Sequence, residues 1–259
     1  MKSFARRSSD GRTLTAPNLA PALRSLVSFL LLSCFHGLSR IFYRHEVSWV
    51  DGSPTEPWTL CDRIRVVAIL NHTSLYEVLF AGAVPLRFHL RAARHGVVAV
   101  AEKTLKRPLV GKLFRFIAAH VVSVTRERDH TWQAVLKRIG PESMVLILPE
   151  GRMMRANGLD ANGQPMTVRG GISDILEAVD DGYMLLAYSG GLHHVQVPGQ
   201  LLPRLFQSIR MRFELVEVAA YKGDRSAEAA ESKVSFKRRV VEDLERRRDL
   251  HCPVARPRP

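Results

Sequence analysis

Five short apolar runs, at residues 66–70, 97–101, 121–125, 144–148 and 183–188, recur through the middle of the chain. Each is too short for a core helix and carries no alternating polar face. Runs of this kind suit strands buried on both sides, as in a parallel sheet. Stretches with helical spacing lie between them, at 74–83, 109–118, 131–139 and 171–179. A sixth segment, 209–218, alternates Met211, Phe213 and Leu215 with polar residues, the pattern of a sheet-edge strand. Strands alternating with helices predict an α/β fold, a mainly parallel central sheet with helices on both faces.

The chain of 259 residues can hold one such domain and an extension. Composition divides it into a basic, disordered N-terminus (1–20), a membrane-associated helical segment (21–56), the α/β domain (57–225), and a basic C-terminal helix and tail (226–259). Within the second part, 25–42 is apolar except for Ser25, Ser28, Ser33, His36, Ser39 and Arg40, which fall on one narrow helical stripe. This stretch is short for a bilayer span. The pattern predicts a helix that lies in or dips into one leaflet. A signal peptide is disfavoured because no small-x-small cleavage site ends the run; a helix packed on the domain is the plain alternative. The C-terminal pattern sets Val234, Phe236, Val240, Val241 and Leu244 on one side of a basic helix. Its charged face is either simply solvated or a second contact with anionic lipid.

Lys and Arg number 38 against 25 Asp and Glu, a net charge of +13, which favours anionic partners. No nucleic-acid-binding motif accompanies the charge, and an aromatic fraction of 7% offers few stacking platforms. Nucleic acid is therefore not an expected partner. The three cysteines, Cys34, Cys61 and Cys252, form no Cys-x-x-Cys pair, against a zinc site or a disulfide framework. Cys34 reads as a core or lipid-facing residue, and Cys252 as part of the disordered tail. His193 and His194 are adjacent rather than at ligand spacing, so no metal site is expected.

The chemistry gathers after the first apolar run, in Asn71-His72-Thr73-Ser74-Leu75-Tyr76-Glu77. A strand ending here exposes the imidazole at its tip. A helix starting at Thr73 or Ser74 brings Glu77 back toward the ring. A carboxylate on one ring nitrogen fixes the tautomer and makes the other a better base. Ser74 reads as the helix cap. The chain has no Gly-x-Ser-x-Gly elbow, which disfavours a serine hydrolase; Ser189, before Gly190-Gly191, is a weaker rival nucleophile. After the fourth apolar run comes Leu148-Pro149-Glu150-Gly151, then a loop over 151–170 rich in Gly, Asn and Pro.

These blocks, with Lys103-Thr104-Leu105-Lys106-Arg107-Pro108 and a run ending at Arg126 between them, resemble the glycerolipid acyltransferase family typified by 1-acylglycerol-3-phosphate acyltransferase. The family pattern is Asn-His-x-x-x-x-Asp, then Phe-Pro-Glu-Gly-Thr-Arg; the resemblance spans roughly residues 60–190. Glu77 stands where most of the family has Asp, and Met153 occupies the usual arginine position, so Arg152 or Arg155 must supply the cation. The family's Val-Pro-Val signature is missing. The resemblance implies catalysis by His72 and Glu77. It implies a substrate-binding set of Asn71, Lys103, Arg126, Glu150, Gly151, Arg152 and Arg155. Glu150 would either receive acceptor hydroxyls or anchor its loop through backbone N–H groups.

The expected activity is transfer of a fatty acyl group from acyl-CoA or acyl carrier protein to a lysophospholipid hydroxyl, with no other cofactor. It would occur on the cytoplasmic face of a membrane. A non-phosphate lyso-lipid acceptor such as a lyso-aminolipid, or a non-catalytic lipid-binding protein on the same fold, are the alternatives. The sequence leaves the oligomeric state open.

Overall fold

The computed structural model describes residues 21–106, 110–125, 130–196, 200, 202–232 and 234–253. The stretches 1–20 and 254–259, expected to be disordered, lie outside them, as does Arg126.

Seven strands form one sheet: β1 (Arg44–Trp49), β2 (Ile64–Leu70), β3 (Gly96–Ala101), β4 (His120–Val124), β5 (Met144–Ile147), β6 (Tyr183–Ser189) and β7 (Ser208–Glu217). Their spatial order is β1-β7-β6-β2-β5-β3-β4. Every pairing is parallel except β6 with β7. The α/β reading therefore holds, and all six expected strands form.

Alternation along β2 shows why helices cover both faces. Val66, Ala68 and Leu70 enter a core with Ile172, Ile175, Leu176, Val240 and Leu244. Val67 turns to the other side, among Leu79, Phe80, Phe88 and Ala92. Successive side chains on opposite faces require two cores. The first is roofed by α6 (Gly171–Glu177) and α8 (Phe236–His251), the second by α2 (Leu86–His95) and a 3-10 segment (Leu75–Ala83). In chain order the remaining helices are α1 (Pro21–Phe42), α3 (Glu102–Leu105), α4 (Val110–Phe114), α5 (His130–Leu136) and α7 (Val218–Ser232).

Several expectations need correction. The segment 21–56 is not all helical: β1 forms within it. Arg-His-Glu-Val-Ser-Trp is largely exposed and has no apolar run to announce it, as befits an edge strand. Because β1 pairs with β7, β7 is not the sheet edge, and its alternation reflects one buried face. The stretch 74–83 is 3-10 rather than α, with a kink at Tyr76 (φ −86°, ψ 17°). No apolar run announces Arg-rich α2, which buries His89 and Arg91 along with Phe88, Ala92 and Ala93. The helical pattern over 226–250 is two helices, and residue 225 lies inside the first. Ser235 restarts the chain as α8's N-cap, accepting a hydrogen bond from the Arg238 N–H at 3.3 Å. Cys252 is not in a disordered tail. It is half-buried, follows α8, and its N–H donates to the Arg248 carbonyl at 3.0 Å.

Candidate active site

In parallel α/β sheets, ligands bind beyond the C-terminal ends of the strands. Here that edge collects the ends of β2, β5 and β6. β2 stops because Asn71 adopts φ 67°, a left-handed conformation that asparagine tolerates better than most residues. The Asn71 side chain donates to the Ser189 carbonyl at 2.8 Å, fastening the turn to the end of β6. Beside it, Ser189 Oγ accepts the Gly191 N–H at 2.9 Å. Ser189 is fully buried, so the rival-nucleophile reading does not survive.

Glu150, at the end of β5, lies under this turn. Its Oε1 accepts the Asn71 N–H at 3.1 Å and its Oε2 the His72 N–H at 2.7 Å. The side chain is 1% exposed. Of the two roles open to Glu150, the structure takes loop anchoring, because both oxygens face inward to backbone donors. Asn71 likewise positions the turn. Gly151 then reverses the chain with φ 63°, its N–H donating to the Leu148 carbonyl at 2.9 Å; a side chain there would be strained.

His72 Nδ1 lies 2.6 Å from Glu77 Oε1, and both side chains are nearly buried, at 12% and 9% exposure. The same Oε1 accepts the Thr73 N–H at 3.1 Å. Glu77 reaches back because Ser74 caps the 3-10 segment, its Oγ accepting the Tyr76 N–H at 3.1 Å. Ser74 Oγ in turn donates to Gln196 Oε1 at 2.7 Å, and Thr73 Oγ1 accepts the Leu192 N–H at 2.8 Å. The turn after β6 thus braces the segment between the histidine and the carboxylate. Burial by itself lowers the His72 pKa, but Glu77, with a smaller contribution from Glu150, outweighs it and raises the imidazole above its ordinary value.

A family model for acyltransferases matches residues 55–189, just over half of the chain. The chain belongs to the acyltransferase family. No curated protein matches it closely enough to be reported as a relative. The matched span of this acyltransferase contains His72, Glu77 and Glu150; α1 and α8 lie outside it.

The remaining candidate residues are less closely gathered. Arg152 is salt-bridged to Asp160, inside its own loop. Asp160 organises that loop by accepting the N–H groups of Asn162 at 2.7 Å and Gln164 at 2.9 Å. The Gln164 and Asn162 N–H groups, then Arg152, hold the Asp160 carboxyl below the usual range. Arg155 is exposed, and its side chain makes no hydrogen bond or ion pair among the described residues. Lys103 is exposed on α3, at the C-terminal end of β3, two strands from β2. His193 and His194 each hold a backbone carbonyl, of Met154 at 2.8 Å and Ser208 at 2.7 Å.

Sequence reasoning missed Arg248 of α8. Its guanidinium donates to the Met166 carbonyl at 3.1 Å and contacts Glu150 Oε1 at 3.4 Å. It offsets the buried carboxylate on which the His72 turn rests. No local pattern sets it apart from Arg246 and Arg247; only the fold brings it there. Asp160 had a signal, the spacing Asp-x-Asn-x-Gln of an Asx-type turn.

Proposed function

We propose that the protein is a membrane-associated O-acyltransferase. It moves a fatty acyl group from an acyl-CoA or acyl carrier protein thioester to the hydroxyl of a lysophospholipid such as 1-acylglycerol-3-phosphate, at the cytoplasmic face. The observation that carries this reading is the buried His72–Glu77 contact at the C-terminal edge of the sheet. Glu77 holds Nδ1 and leaves Nε2 as the base. His72 takes the proton of the acceptor hydroxyl as the oxygen attacks the thioester carbonyl. Glu77 stabilises the imidazolium that forms. The new C–O bond forms, the C–S bond breaks, and the proton passes from His72 to the departing thiolate. The acceptor is the nucleophile, so no acyl-enzyme is needed.

Support for membrane association comes from α1, whose polarity is inverted. Ser28 and Ser39, from the polar stripe, are fully buried against the protein, whereas Leu23, Leu26, Leu30, Leu38 and Ile41 are exposed. An apolar stripe turned outward suits lipid better than water. At about 33 Å, α1 is long and apolar enough to cross a bilayer. Yet it is tied to the domain near both ends, Arg24 to the Arg115 carbonyl at 3.2 Å and Ser39 to the Leu79 carbonyl at 2.6 Å. That attachment favours a helix lying along the membrane surface.

Two observations favour the second reading, a non-phosphate lyso-lipid acceptor: Met153 stands at the family's arginine position, and Arg152 is occupied by Asp160. A single experiment separates the two. Purified protein is incubated with an isotope-labelled acyl thioester and a panel of lysolipids, and products are identified by mass spectrometry. Labelled phosphatidic acid supports the first reading, and a labelled aminolipid the second. No acylated lipid from any acceptor refutes both.

A further inference from the structure

The segment 202–206 exposes Leu202, Leu205 and Phe206 to 72%, 45% and 60%. Neighbouring large apolar side chains are seldom left in water without a use. Phe206 is also one of two non-glycine residues with positive φ among those described, at 60°. A bulky aromatic in the left-handed region is a genuine outlier, and such strain persists only where surrounding structure enforces it. Two contacts enforce it here. The Phe206 N–H donates to the Phe42 carbonyl at 2.8 Å, and the Phe42 and Phe206 rings lie 6.0 Å apart. The segment is thereby continuous with the last turn of α1, where Ile41 is 69% exposed.

Strand register puts this patch at the sheet edge that carries His72. Leu70 pairs with Tyr188, and the next residue of β6, Ser189, pairs with Met211 near the start of β7. Segment 202–206 leads directly into β7. A backbone link completes the connection: the Arg204 N–H donates to the Val195 carbonyl at 2.7 Å, within the turn that holds Thr73 and Ser74. Exposed Arg204 lies inside the segment, exposed Arg40 precedes Ile41, and exposed Arg44 donates its N–H to the Gln207 carbonyl at 3.1 Å, just after the segment. Apolar tips with arginines close by in the chain match a bilayer with anionic headgroups.

We infer that Leu202, Leu205 and Phe206 form a second lipid-inserting element, joined to the end of α1, that holds the His72 edge of the sheet against an anionic phospholipid surface. This rests on the membrane-associated reading above. Docking through this patch brings the site to the plane in which a lysolipid presents its headgroup.

The test uses the full chain and vesicles of phosphatidylcholine with about a third phosphatidylglycerol, enough anionic lipid to attract a basic surface. A Phe206→Trp variant reports insertion through quenching by brominated acyl chains, with the parent, whose three tryptophans are all half-buried, as baseline. The expected result is quenching clearly beyond the parent. A Leu202→Ser/Leu205→Ser/Phe206→Gly variant should bind the same vesicles at least about tenfold more weakly. If the parent binds but Phe206→Trp is not quenched, the segment is outside the lipid and this inference fails while membrane association stands. Unchanged binding by a folded triple variant overturns it too; if that variant does not fold, the tryptophan result decides. A parent that binds no vesicles overturns both readings.

Discussion

His72 can act as a base only when neutral, and the carboxylates around it hold its proton to higher pH than an ordinary imidazole would. We therefore expect kcat/KM to fall on the acid side through an apparent pKa above ~6.5, measured as a pH–rate profile. Glu77→Gln removes the main cause of the rise, so its acid limb should move down in pH. Its kcat should drop by about 10²–10⁴-fold, because the amide cannot stabilise imidazolium. Glu77→Asp, the commoner residue at this place in the family, should keep more activity than Gln. If Gln matches Glu in kcat, Glu77 is not the orienter. The sign for stability is opposite: a histidine whose folded pKa is raised stabilises the fold below its unfolded value, and that contribution is lost as pH rises through the folded value. Activity and this part of stability should thus run in opposite directions. His72→Ala should leave a folded protein without transfer, and a variant with parental turnover would remove His72 from the mechanism.

At the scale of elements, α8 acts as a brace from outside the matched family span. Arg248→Met leaves Glu150 with its two backbone donors but without its cation, on the face that supports His72. We expect a stability loss of about 1–3 kcal/mol, read by denaturant titration. We also expect kcat to fall more than KM rises, with partial recovery in Arg248→Lys. A loss of stability with unchanged kcat would make Arg248 purely structural. The contrast between Glu77 and Arg248 shows what was legible in the sequence. His72 and Glu77 are joined by one capped turn, so their meeting follows from spacing. Arg248 reaches Glu150 across 98 residues, and only tertiary packing puts it there. Likewise the buried strands read clearly from their apolar runs, whereas β1, solvated along its outer edge, carried no pattern. Glu150 was placed at the site by its motif, yet the pattern could not distinguish a carboxylate facing substrate from one turned inward to backbone N–H groups. Arg152 reads from the sequence as a substrate-binding cation because its partner Asp160 lies eight residues on, across a loop whose closure composition does not reveal.

For the whole molecule, the inverted polarity of α1 makes two kinds of substitution separable. Its outward leucines touch solvent rather than core, so replacing Leu26 and Leu30 with lysine should change folding stability by no more than about 0.5 kcal/mol per site. The same change takes away apolar surface that would enter lipid, so vesicle co-sedimentation should fall sharply. Lysine adds positive charge, so electrostatic attraction to anionic lipid would rise if anything, and the loss can be assigned to insertion. The inward residues should behave in the reverse way. Ser39 Oγ donates to the Leu79 carbonyl at 2.6 Å and meets His45 Nε2 at 3.0 Å. His36 Nδ1–H donates to the Ala81 carbonyl at 3.0 Å. Both carbonyls belong to the 3-10 segment that carries Glu77. Ser39→Ala therefore leaves a buried carbonyl and a histidine short of a partner, costing about 1–3 kcal/mol. It also loosens the segment that aims the carboxylate. Ser39→Ala should lower the thermal midpoint and kcat while vesicle binding stays near that of the parent. If Ser39→Ala releases the protein from vesicles and the outward lysines do not, the polar stripe is the lipid-facing side and the orientation argued for α1 is wrong.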